Sequence, residues 1–175
     1  MIGFSIDDLN ELIRGELEPV EFAIGNVKLA TNYLEIPKDE IVEIGLFDKE
    51  TGKYLDNGSD FTFNERLGML KMNNAYIHLA GGLSCRITNQ KITQLRIAKK
   101  YIGHLTILTK DEIESFNGEP ERELIEDTTW GLDYSIDCYI SIYKNSKLYF
   151  YFEPEKLTLR EIRIGNVNEE FYTKQ

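Results

Sequence analysis

Two cysteines and two histidines are all that this 175-residue chain offers for thiol, zinc or imidazole chemistry. His78 and His104 have no cysteine or histidine at zinc-ligand spacing, so no metal site is expected. Cys85 and Cys138 sit in strand-like apolar runs and read as reduced core thiols of a cytoplasmic protein, with a disulfide as the lesser alternative. Neither stands at a helix start, where a thiolate would be stabilised. Phosphate cradles are missing as well. No G-x-x-x-x-G-K-[ST] or G-x-G-x-x-G is present, and Gly81-Gly82 reads as a turn. No apolar run approaches the roughly 20 residues that span a bilayer. Met1 to Asp8 shows neither the basic nor the apolar part of a signal peptide. These absences point away from catalysis, cofactors and membranes.

Basic residues are also few. Twenty Lys and Arg face thirty Asp and Glu, a formal charge of −10. That argues against phosphate backbones or anionic lipid as the main partner and suits a basic protein. What the chain does have is apolar and aromatic content, at 42% and 11%, enough for a core rich in strands.

Tyr134 to Ile164 is the clearest stretch. Ile136, Cys138, Ile140 and Ile142 alternate with Asp137, Tyr139, Ser141 and Tyr143, the period of a strand with one buried face. Lys144-Asn145-Ser146 turns, Leu148, Phe150 and Phe152 alternate with Tyr149 and Tyr151, and Pro154-Glu155-Lys156 turns again. In the third run Leu159 has the opposite parity to Ile162 and Ile164, which predicts a bulge near Arg160. A second meander covers Ala75 to Ala98, with Leu83, Cys85, Ile87, Leu95 and Ile97 inward, Asn89-Gln90 turning, and His78 on the outer, solvent side.

Two helices are expected. Ser5 to about Glu18 carries the stripe Ile6, Leu9, Leu12, Ile13, and Pro19 stops it. Thr109 with Glu112 reads as a capping box, and Asn117-Gly118 closes that helix. Val20 to Leu34 reads as a hairpin about Gly25-Asn26. Lys38 to Gly45 is either a short helix or part of a strand through Phe47, with β-branched content favouring the strand; Phe61 to Phe63 reads as a brief strand, and Asn64 to Asn74 is ambiguous. Glu119 to Thr129 reads as a polar loop, and the tail after Gly165 as polar. The expected fold is α+β: a mainly antiparallel sheet from two β-meander halves, with an N-terminal helix and a short second helix. Residues 1–175 form a single domain on this reading. Leu83 to Ile97 matches Leu148 to Ile162 without a gap, and Ile36 to Ile41 mirrors Leu108 to Ile113. An internal duplication of 20–103 and 104–166, or two unrelated hairpins obeying one rule, would both produce this.

Charge is unevenly placed. Asp111 to Asp127 holds eight acids against Arg122, whereas Gly81 to Lys110 holds six basic residues and no acid. The zones either neutralise each other or leave a docking surface for a basic protein. On the second reading Glu119, Glu121, Glu123, Glu126 and Asp127 steer the partner, and Trp130, Tyr134 and Tyr139 anchor it. The tyrosines of the last meander are either exposed in a row or a second core layer. Arg86, Arg96, Lys99, Lys100 and Tyr101 suggest a further alternative, single-stranded nucleic acid on a sheet, which the net charge opposes.

Leu108 to Ile113, a short helix, Asn117-Gly118-Glu119-Pro120 and a meander ending in Ile162 and Ile164 resemble the SmpA/BamE-like module over about a third of the chain. That likeness implies an envelope-assembly or structural adaptor, but the lipoprotein signal and its cysteine are lacking. In its whole profile of size, acidity and tyrosine-rich sheet, the chain resembles small acidic bacterial immunity proteins, including those of contact-dependent inhibition. This resemblance implies occlusion of a basic, nuclease-type toxin without catalysis or cofactor.

Overall fold

The computed structural model describes residues 6–55, 61–98, 102–127, 137–143 and 145–165. It is α+β, with three α-helices, a large antiparallel sheet and a two-stranded ribbon among these residues. Helix α1, Ile6–Ile13, is shorter than its periodicity suggests. Gly15 turns the chain out at φ 71°, and the Asn117 side-chain amide donates to the Ile13 carbonyl at 2.7 Å. The ribbon β1 (Ala23–Ile24) and β2 (Val27–Lys28) folds about Gly25-Asn26. The return strand stops there, because Asn32 caps a 3-10 turn at Tyr33–Glu35.

Eight strands follow. β3 is Ile41–Phe47, β4 Asn74–Leu79, β5 Leu83–Thr88 and β6 Lys91–Ala98. β7 is Arg122–Asp127, β8 Asp137–Tyr143, β9 Leu148–Phe152 and β10 Leu159–Gly165. Their order in the sheet is β3-β4-β5-β6-β10-β9-β8-β7. Two four-stranded meanders thus meet through their last strands, with β3 and β7 as the outer edges. At the seam Ile97 lies opposite Ile162, and Arg96 opposite Arg163. Ile97 and Ile162 are matched positions of the two similar hairpins.

Several turns are legible in local chemistry. Asn89 and Gln90 both take positive φ, as a tight hairpin of right-handed strands requires. The register shifts between Leu159 and Glu161, as the parity break predicts. Two expectations are overturned. Phe61 to Phe63 is not a strand: Thr62 and Glu65 form a reciprocal capping box for helix α2, Phe63–Met69. Arg66 of α2 donates to the Ile44 carbonyl at 3.0 Å, which covers part of the β3 edge. Glu119 to Thr129 is not wholly loop either, since Arg122 to Asp127 pairs along its length with β8. Helix α3, Lys110–Asn117, has the expected Thr109–Glu112 capping box, and Gly118 ends it at φ 79°.

The core lies on one face of the sheet. Leu9, Leu12 and Ile13 of α1, with Phe22, Ile24, Val27 and Tyr33, join Ile44, Ile77, Cys85, Leu95, Ile97, Phe150 and Ile162 in one buried cluster. The faces of β8 are the reverse of the sequence reading. Pairing sets Tyr139 opposite Phe152 and Tyr143 opposite Leu148, so both tyrosines lie on the main core side. Cys138, Ile140 and Ile142 form a second buried cluster with Tyr149 and Tyr151 on the other face. β9 is buried along its whole length. Of the two readings of these tyrosines, burial in the core holds for Tyr143, Tyr149 and Tyr151, and the exposed row does not. Both cysteines are buried free thiols, and burial pushes Cys85 up to about 12. Among the described residues no helix is long and apolar enough to cross a membrane.

Candidate functional site: an acidic sheet edge and a polar sheet face

Among the described residues β7 is the outermost strand of the second meander, and its charges sit at that edge of the sheet. Glu119, Glu121, Arg122 and Glu123 are exposed, and so is Ile125, at 60%. Glu126 and Asp127 lie on the same strand, opposite Cys138 and Asp137 of β8. Tyr139 is half-buried behind the strand, on the core side of Glu123. Trp130 and Tyr134, the remaining expected anchors, lie outside the described residues.

Among the described residues the basic segment reaches this edge through Lys110. Lys110, at the start of α3, pairs with Glu114 and with Glu123, the latter at 2.8 Å. Its ammonium also lies 5.4 Å from the centre of the Tyr139 ring. Desolvation alone would lower the Lys110 pKa, but the hydrogen bonds to Glu114 and Glu123 hold it above its usual value. Glu123 is held below the usual carboxylate range, first by the Lys110 hydrogen bond and then by that of Tyr139. Desolvation, then the hydrogen bond to Glu123, pushes Tyr139 up to about 12. Glu121 accepts from the Asn145 backbone at 2.9 Å, which ties the β7 entrance to the β8–β9 turn. Glu112 is occupied in the cap of α3. Neutralisation between the two zones is thus local: Lys110 takes up Glu114 and Glu123, and Glu119 and Glu121 remain exposed at the rim.

The second region was not anticipated. On the face opposite the main core, successive register partners form a polar row across the sheet: Glu43, His78, Ser84, Arg96 and Arg163. A bulge between Ile41 and Glu43 puts Glu43 on this face. His78 is not a surface histidine. It is half-buried, with Nδ1 2.8 Å from the Ser84 hydroxyl. Burial lowers its pKa, Glu43 partly opposes this, and Arg96 adds to the lowering.

Beside that row is a cavity of about 240 Å³, lined by Glu43, Gly45, Phe47, Tyr54, Tyr76, His78, Ser84 and Arg96. Phe47 is the hub of its aromatic wall, edge-on to Tyr54 at 5.3 Å and to Tyr76 at 5.6 Å. Tyr54 lies over Gly45, where an added Cβ would meet the ring at 3.3 Å. Arg96, one of the residues suggested for nucleic acid, is paired within the sheet. Its Nε is bound to the Glu161 carboxylate, whose other oxygen accepts from Arg163 Nε at 2.8 Å. The Arg163 guanidinium in turn lies 4.2 Å from the Tyr151 ring centre, and Arg86 stands 5.7 Å from that of Tyr76. Lys99, Lys100 and Tyr101 lie outside the described residues.

The cavity residues come from β3, the strand return at Tyr54, and β4, β5 and β6, so no linear motif carries them. The available signal was parity: His78, Ser84 and Arg96 are polar at outward positions of three consecutive strands. Comparison with known proteins finds no family model, no curated protein and no solved structure that matches the chain, so the reading of both regions rests on their own geometry.

Proposed function

We propose that this chain is a non-catalytic protein-binding module that presents the β7 edge to a basic protein, and that it serves as an immunity protein covering the active surface of a cognate nuclease-type toxin. One observation supports the reading: among the described residues β7 is an outer strand paired on one side only, with Glu123 and Ile125 exposed on it and Glu121 exposed just before it. An open strand edge offers main-chain hydrogen bonds to an added strand. Its acids disfavour neutral or acidic strands and attract Lys- and Arg-rich ones, which sets both partner choice and association rate. Ile125 supplies the apolar contact that the buried tyrosines do not.

The test is binding to a basic toxin domain encoded next to this chain, measured by stopped-flow at low and high salt. Glu121→Lys with Glu123→Lys should slow association by tenfold or more at low salt and leave cells expressing the toxin unprotected. An unchanged association rate, or protection by the reversed variant, would remove the edge from the mechanism.

A further inference from the structure

We infer that the cavity on the β3–β6 half of the sheet is a receptor for a guanidinium group, held by Glu43 and stacked on the Tyr54–Phe47–Tyr76 wall. The protein supplies its own template for this chemistry. At the seam, the Arg163 guanidinium lies 4.2 Å from the Tyr151 ring centre and donates to Glu161 at 2.8 Å, so one planar cation meets one ring face and one carboxylate. The cavity repeats two of the three parts. Tyr54 is half exposed at its mouth, and Glu43 stands exposed on the same face of the bulged edge strand. The third part is not provided to Glu43 from within: among the described residues Glu43 has no ion-pair partner, and the two nearby arginines have other partners, one of them the Tyr76 end of the wall. Arg96 is bound to Glu161, and Arg86 stands over Tyr76. A volume of about 240 Å³ accommodates a guanidinium and its aliphatic stem. The floor fits as well. The Ser84 hydroxyl and the His78 ring, 2.8 Å apart, offer hydrogen-bonding groups, and the charge of Arg96 in the same lining is met by Glu161.

Carboxylate and ring together select guanidinium over a neutral amide of the same shape. A charge-assisted, bidentate bond to Glu43 provides most of that preference, and stacking on Tyr54 adds less. The group can arrive as a free small guanidine or as an arginine side chain of a protein. The cavity lies toward β3 and the acidic strand β7 is the opposite edge, so this site stands or falls independently of the toxin-binding reading.

Calorimetric titration of the full chain distinguishes these. Agmatine represents the free source and a blocked Gly-Arg-Gly tripeptide the side-chain source, with blocked Gly-citrulline-Gly as the neutral isostere. The expected result is binding of agmatine, the arginine tripeptide or both, with the citrulline peptide at least tenfold weaker. Glu43→Gln, at an exposed position, should weaken binding about tenfold with an unchanged melting temperature. Tyr54→Leu should weaken it about two- to fivefold. Agmatine binding alone identifies a free guanidine as the ligand, and tripeptide binding alone identifies a protein side chain. Equal affinity for the citrulline peptide, or wild-type affinity in Glu43→Gln, overturns the assignment. Failure of both guanidinium ligands to bind in the millimolar range does the same.

Discussion

Replacing Glu161 by Gln tests how the two meanders are joined. Glu161 is 5% exposed and shares its carboxylate between Arg96 of β6 and Arg163 of its own strand. Arg96 and Glu161 are 65 positions apart in sequence, so their bond forms only when β6 and β10 are paired. Gln keeps the shape and one acceptor oxygen but removes the charge that both guanidinium groups face. Breaking one partner out of a buried charge set costs about 3–5 kcal/mol. The isosteric change belongs at the lower end of that range. In a chain of this length such a loss lowers the melting temperature by roughly 6–12 °C. Urea unfolding followed by circular dichroism measures it. The double variant Arg96→Met, Glu161→Gln removes the same contact twice, so it should lose at least about 1 kcal/mol less than the sum of the two single losses. A Glu161→Gln variant within about 0.5 kcal/mol of the parent, or strict additivity in the cycle, would show that this contact does not stabilise the seam.

Two further outcomes follow from residues on the main core side and at the end of β10. Burial is the main cause holding Tyr139 and Tyr143 up at about 12, against 10.0 for a free phenol, so both stay protonated in the fold after an unfolded chain would release its protons. The unfolded state then binds fewer protons, and stability falls as pH rises from 10 toward 12; Tyr139→Phe should flatten that fall in alkaline melts, and an unchanged slope would refute it. Gly165 has φ 102°, and an added Cβ would lie 2.3 Å from the Thr93 carbonyl oxygen, so Gly165→Ala should cost roughly 1–3 kcal/mol in urea titrations, whereas an unaltered midpoint would mean the backbone there yields freely.

Much of the fold was legible because the relevant interactions are local. Thr109 and Glu112 are three residues apart and satisfy each other's backbone, so the cap of α3 needs no knowledge of the rest. The same signature at Thr62 and Glu65 was present and was outweighed by the neighbouring phenylalanines, which resemble strand residues. β7 was missed for a different reason. Arg-Glu-Leu-Ile-Glu-Asp has weak strand propensity, and it is a strand because β8 offers it a complete ladder. The acidic site was legible as a charge run but not as a sheet edge, and its local tie to Lys110 depends on how α3 meets β7.

Taken alone, the amino-acid order determined the α+β class, the two meanders, their turns and the bulge after Leu159. Alternation and turn chemistry act over two to four residues, and nothing distant can easily reverse them. Tertiary structure decided which face of β8 meets the main core. Both of its faces are apolar enough to bury, and a period of two does not distinguish them. It also decided that Arg96 faces Glu161, and that Glu43, Tyr54 and Tyr76 surround one cavity. Those neighbours are set by strand order across the sheet, and strand order is chosen by the summed packing of the whole chain rather than by any one segment.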